Sequence, residues 1–229
     1  MRIRFLDEWR GLAIVGMVFY HLAFDLDYSG ILLFDFSSLF WLIWARLVQF
    51  SFLLLVGLSL FLSFKNSSSN HEFLRKQARR AAFIFAMGML ITLITYFAFP
   101  DAYIRFGVLH LVAVSIVIGS LLIRNIPATL TLACSSVILG QLFEKVTTNT
   151  SWLIPIGVFP QNTYSFDWFP LFPWLSLPLS GILLGRLLDH FQLWNAFNVP
   201  IPPLEFIGRH ALLIYLVHQP LLLGFIWLL

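Results

Sequence analysis

Apolar residues along this chain come in long unbroken runs, not in the alternating or every-third patterns of soluble strands and helices. Seven runs stand out, at roughly residues 11–33, 39–64, 81–99, 107–123, 128–143, 171–188 and 206–229. A bilayer crossing needs about 20 mostly apolar residues. The pattern therefore predicts an all-α, polytopic integral membrane protein with about seven transmembrane helices. The fifth run is short, and the sixth carries Pro173 and Pro178, which a membrane helix tolerates when neighbours satisfy the freed carbonyls. Residues 65–80 read as a polar, then basic, loop, and residues 145–170 as a loop rich in aromatics and prolines. Residues 1–229 read as a single transmembrane domain.

Composition narrows the function classes. Of 229 residues, 59% are hydrophobic and only 11% charged, against about 45–50% and 25% in soluble domains. That excludes a soluble or disordered chain and leaves no room for a large soluble catalytic domain. Any chemistry has to come from helix-borne side chains and short loops. The single cysteine, Cys134, cannot form an intrachain disulfide. No metal-ligand cluster is visible, and no basic run is long enough for nucleic acid. Met1-Arg2-Ile3-Arg4 opens like a signal peptide, but Asp7, Glu8 and Arg10 follow and no cleavage site appears, so the first helix reads as retained.

Lys and Arg set the orientation. With the N-terminus in the cytoplasm, Arg2, Arg4, Arg10, Lys65, Arg75, Lys76, Arg79, Arg80, Arg124, Arg186 and Arg209 fall inside. Only Arg105 and Lys145 fall outside, and Arg46 lies within a span. This positive-inside bias predicts a multi-pass protein of the inner (plasma) membrane, N-terminus in and C-terminus out.

Ionisable residues at membrane depth are costly and mark functional candidates. Here they are His21 and Asp25 in the first span, Arg46 in the second, His110 in the fourth, and His218 with Gln219 in the last. His21 lies about 16 Å beyond Arg10, at 1.5 Å per residue, and His218 about 14 Å beyond Arg209. All of these fall between the midplane and the outer third, as a shared polar cavity would require. His21 and Asp25 are i, i+4 on one face, and Arg10 lies three turns earlier with about 20° of rotation. Asp25 is expected to accept a hydrogen bond from one nitrogen of His21, leaving the other as a base. The plainer alternatives are an Asp25–Arg46 structural ion pair, His110 and His218 bonded to neighbouring carbonyls, and Arg10 as an interfacial anchor.

The stretch Leu6-Asp7-Glu8-Trp9-Arg10-Gly11-Leu12-Ala13-Ile14, with His21 eleven residues after Arg10, resembles the opening helix of integral-membrane acyltransferases of the acyltransferase-3 group and its relatives. Arg105-Phe106-Gly107-Val108-Leu109-His110 is similar to a segment of the heparan-α-glucosaminide N-acetyltransferase-like family. So are Pro173-Trp174 with Gly181-Ile182-Leu183-Leu184-Gly185, and Gly208-Arg209 with Ile214-Tyr215-Leu216-Val217-His218-Gln219-Pro220. The resemblance runs from the first span to the last. It implies acetyl-CoA or another acyl-CoA as cosubstrate, reached from the cytoplasm, no metal, and transfer to an acceptor on the outer side. The animal lysosomal members carry a further histidine soon after the first helix, and more helices with a luminal domain. Here no histidine lies between His21 and His71. A small relative acting on a glycan or other cell-envelope metabolite fits better than one acting on a glycosaminoglycan.

The expected enzyme is a membrane acyltransferase. His21 is the base, oriented by Asp25, with His110 and His218 as further catalytic candidates. Arg46, Arg105 and Gln219 would hold acceptor or oxyanion. Arg10, with Arg75, Lys76, Arg79 and Arg80, would bind the CoA phosphates. The basic 65–80 segment would meet anionic lipid equally well, and the lipid bilayer is the one certain partner; a homo-oligomer is compatible with the sequence. The rivals are a proton-coupled transporter using His21, Asp25 and Arg46 as a relay, and a non-catalytic membrane scaffold.

Overall fold

In a computed structural model, which describes residues 3–161, 163–195 and 201–228, the apolar runs become helices. Met1, Arg2, Asn162 and Leu229 lie outside the described residues. The helices are α1 (Arg4–Tyr28), α2 (Leu39–Lys65), α3 (Asn70–Ala98), α4 (Val108–Leu122), α5 (Ile126–Phe143), α6 (Leu171–Trp174), α7 (Ser176–His190), α8 (Pro202–Arg209) and α9 (Ala211–Trp227). Among the described residues there is no strand, only two isolated backbone bridges.

Five helices are long and apolar enough to cross a membrane: α1, α2, α3, α5, and α6 with α7 taken together. A sixth span follows if α8 and α9, which meet at an 83° bend, are one broken crossing. The fourth expected span, α4, has 15 residues and is too short to qualify. The last run is thus not one straight helix. His210 sits at the break, bonded back to the Phe206 carbonyl at 2.9 Å.

The expected 65–80 loop is also different. Only residues 66–69 separate α2 from α3. Ser69 caps α3 by accepting the Glu72 N–H at 3.1 Å, which is half of a Ser-x-x-Glu capping box. Arg75, Lys76, Arg79 and Arg80 therefore sit on an exposed helical arc, while Phe73 and Gln77 face inward. Gln77 Nε2 donates to Ser63 Oγ at 2.7 Å.

The chain divides into two compact units. The first comprises residues Met1–Leu55 and Gln192–Leu229, and its core is α1 against α8 and α9. Here two glycines permit contact between backbones. A Cβ on Gly11 would lie 2.1 Å from the Leu204 carbonyl oxygen, and one on Gly208 only 1.7 Å from that of Asp7. Small residues at such crossings are the usual means by which membrane helices approach closely. Glu8, 6% exposed, accepts the Ile201 N–H at 2.8 Å and ties the start of α8 to α1. Trp44 of α2 donates to the Gly16 carbonyl at 3.0 Å and meets the Phe19 ring edge-on.

The second unit, residues Val56–Phe191, packs α3 on α4 and α5 on α6 and α7. Asn125 caps α5, accepting from the Ala128 N–H at 3.0 Å. Lys65 pairs with Asp189, and Arg186 donates to the Ile123 carbonyl. The end of the 145–170 segment, residues 164–169, is laid along residues 102–108. The Phe166 N–H bonds to Ala102 O and the Phe169 N–H to Phe106 O, each at 3.0 Å.

Candidate functional site

Helix α1 presents His21 and Asp25 one turn apart, as their spacing requires, and α9 presents His218 and Gln219. In the first unit these four side chains meet in two pairs. The rings of His21 and His218 have centroids 5.0 Å apart, tilted by 53°. Gln219 Nε2 donates to both oxygens of Asp25, at 2.8 and 2.9 Å.

This pairing corrects one expectation. The Asp25 carboxylate does not orient His21; its side-chain donor is Gln219. The ring of His21 makes no hydrogen bond among the described residues, so none of these sets its tautomer. The amide from α9 reaches the carboxylate instead. Nor do Asp25 and Arg46 form the alternative ion pair: Arg46 Nη1 donates to Gln49 Oε1 at 3.3 Å on its own helix.

His218 is held differently. Its Nδ1 lies 2.7 Å from the Tyr215 carbonyl oxygen. Its Nε2 is buried and has no hydrogen-bond partner among the described residues, and the same is true of Gln219 Oε1. Buried polar groups are nearly always paired, and here two such atoms fall on adjacent residues.

Arg10, at the other end of the α1 stripe, is bonded to Asp7, Nη1 to Oδ1, at 2.7 Å. The exposed cations Arg75, Lys76, Arg79 and Arg80 belong to the second unit.

His110 and Arg105 also lie in the second unit. His110, 2% exposed, is at the third position of α4 and accepts the Gly107 N–H on Nδ1 at 3.3 Å, while Asp167 accepts the Val108 N–H at 2.9 Å. The first two amides of the helix are thus satisfied by side chains. The His110 ring lies against Phe85, Phe106 and the face of Gly88, and its Nε2 has no partner among the described residues. Burial pushes the Asp167 carboxyl up to about 6, with the Val108 hydrogen bond pulling the other way. Arg105 braces the 145–170 segment by donating to the Tyr164 carbonyl at 2.8 Å, and lies over the Tyr103 ring. Of the aromatics in that segment, Trp168 bonds to Ile154 O and packs on Phe159, whereas Trp152 and Tyr164 are exposed.

Sequence reasoning passed over the Tyr215 carbonyl, the Gln219–Asp25 bond, Asp167 and Gly88. The Gly-x-x-His spacing at Gly107 and His110 could have signalled a side chain reaching back to a helix start; nothing in the sequence could have paired Val108 with Asp167, 59 residues away. No group of histidine, cysteine and acidic side chains that could hold a metal occurs among the described residues. No curated protein and no solved structure matches the chain. A family model does match, over residues 2–220, and the chain accordingly belongs to the family described as heparan-alpha-glucosaminide N-acetyltransferase, catalytic.

Proposed function

We propose that this protein is a membrane-embedded acetyltransferase that takes its acyl group from acyl-CoA, best acetyl-CoA, on the cytoplasmic side and delivers it to a glycan or other envelope metabolite outside. Family membership over residues 2–220 supports acetyl transfer. The observation that carries the assignment to a site is the α1–α9 cluster, in which buried histidine and amide acceptors lack partners among the described residues. Acyl transfer needs a base for the attacking N–H or O–H and exclusion of water, and such a cluster can supply both. Asp25 and Gln219 brace each other and hold α9 in register with His21. The CoA phosphates are assigned to the exposed arc of Arg75, Lys76, Arg79 and Arg80, where four cations on one face match a polyanion. Arg10, already paired with Asp7, is the lesser contributor.

The test uses the full chain purified in detergent. Saturable acetyl-CoA binding and slow CoA release, accelerated by envelope extract, are expected. Replacing Arg75, Lys76, Arg79 and Arg80 together by Gln should weaken acetyl-CoA binding at low salt. Folded protein that binds no acetyl-CoA, but acidifies proteoliposomes or takes up solute along a proton gradient, would establish the transporter instead.

A further inference from the structure

The two histidines of the α1–α9 cluster are not equivalent, and the difference lies in their backbone partners. A carbonyl oxygen can only accept, so the 2.7 Å contact between His218 Nδ1 and Tyr215 O places the hydrogen on Nδ1. In the neutral ring, Nε2 is then a bare lone pair. That nitrogen is buried and unpartnered among the described residues. A fixed Nδ1–H and an open Nε2 are what a general base requires: the geometry needs no rearrangement before the proton arrives, and the Tyr215 carbonyl stabilises the imidazolium once it forms. His21, 5.0 Å away ring to ring, lacks the first of these features: no hydrogen bond among the described residues fixes which of its nitrogens carries the hydrogen. Asp25, the group expected to fix its tautomer, is bound to Gln219.

We propose that His218, not His21, takes the proton from the attacking group, with the Tyr215 carbonyl as the element that fixes its tautomer. This rests on the acetyl-transfer reading of the same cluster. The lone pair of the acceptor's N–H or O–H group forms a bond to the acyl carbonyl carbon while its hydrogen passes to His218 Nε2. The carbon–sulfur bond breaks, its electron pair goes to the CoA sulfur, and His218 returns the proton to that thiolate. His218 ends neutral, with Nδ1 still bonded to Tyr215. His21 stands beside the ring as a polar wall.

Two measurements on the full chain in nanodiscs test this. In protein labelled with nitrogen-15 at histidine, with resonances assigned by loss in His218→Gln, His218 should show a protonated Nδ1 and a bare Nε2 in the resting state. The opposite tautomer would overturn the proposal. In the transfer assay, His218→Gln should lower kcat by about 10²–10⁴-fold with acetyl-CoA affinity unchanged, and His21→Gln by less than about tenfold. Transfer that survives His218→Gln but not His21→Gln would return the base to His21 and leave acetyl transfer standing. Wild-type protein that binds acetyl-CoA but transfers nothing to any acceptor would overturn acetyl transfer, and the base with it. Acetyl-CoA binding reports folding; should His218→Gln fail to accumulate, His218→Asn and the tautomer measurement decide.

Discussion

Replacing Gln219 by leucine removes the side-chain donor that holds the Asp25 carboxylate, at 2.8 and 2.9 Å, across α1 and α9. Asp25 is only 4% exposed, so water does not substitute. Leaving a buried group without its partner costs about 1–3 kcal/mol, and more for a charged one. Asp25→Asn is milder, because its Oδ1 still accepts from Gln219 Nε2; it should forfeit at most the difference between a charged and a neutral hydrogen bond, about 1–1.5 kcal/mol. Asp25→Leu strands the Gln219 amide, whose Oε1 already has no partner among the described residues. The pair should therefore show coupling in a double-mutant cycle: Asp25→Leu and Gln219→Leu together should cost about 1–2 kcal/mol less than the sum of the single changes. The assay is thermal or denaturant unfolding in one detergent, with acetyl-CoA binding as a check on the folded fraction. Additivity within about 0.5 kcal/mol would refute the pair as a bracing contact. So would Asp25→Asn proving as damaging as Asp25→Leu, since that would mean a charge, not an acceptor, is needed there.

Gly88→Ala should destabilise the second unit by about 1–3 kcal/mol, because its Cβ would lie 3.0–3.2 Å from three atoms of the His110 ring; an unchanged melting temperature would show that the ring is not confined. Asp167, raised to about 6 in the fold from an ordinary 3.8, holds a proton there that the unfolded chain has lost. Its contribution to stability is thus fully present below about pH 4 and lost as pH rises through about 6. Asp167→Asn, which keeps an acceptor for the Val108 N–H, should flatten that part of the pH–stability curve, and an unaltered slope would remove Asp167 as its source. In a Cys134→Ser background, a cysteine at Ser68 in intact cells should react only with permeant reagents and one at Trp152 with impermeant ones; the reverse pattern would invert the proposed orientation.

What was legible in the sequence is what depends on chain-local physics. The apolar runs at 39–64, 107–123 and 128–143 became α2, α4 and α5 with ends within about two residues, the run at 81–99 ends within a residue of where α3 ends, and the 3.6-residue period put His21 and Asp25 on one face of α1. The start of α3 was missed because residues 70–80 are polar, although Ser69 and Glu72 carry a capping signal that overrides composition. The break at His210 lies two residues beyond the close approach of Gly208 to the Asp7 carbonyl. That is a contact between segments some 200 residues apart, and no periodicity encodes it. The same holds for Asp25 and Gln219: each was singled out for its polarity, but which of several polar partners it would meet was decided by packing of α9 on α1.

The histidines show why residue type and depth do not by themselves assign chemistry. Within a helix, Nδ1 can reach a carbonyl three or four residues back, as His218 reaches Tyr215 and His210 reaches Phe206. Nδ1 then carries the hydrogen, and Nε2 presents a lone pair. In the first turn there is no such carbonyl to meet; the groups left over are N–H donors. His110 therefore accepts from Gly107 on Nδ1 and presents an N–H at Nε2, a donor with no lone pair to offer. Both rings have a buried Nε2 without a partner among the described residues, yet one can take a proton and the other can only lend a hydrogen bond. The distinction is set by where each helix begins. Were α4 to start one turn earlier, His110 would face carbonyls and present a lone pair as His218 does. The glycine at position 107 and the distant Asp167 that pin that start shape the chemistry of His110 as much as its imidazole does.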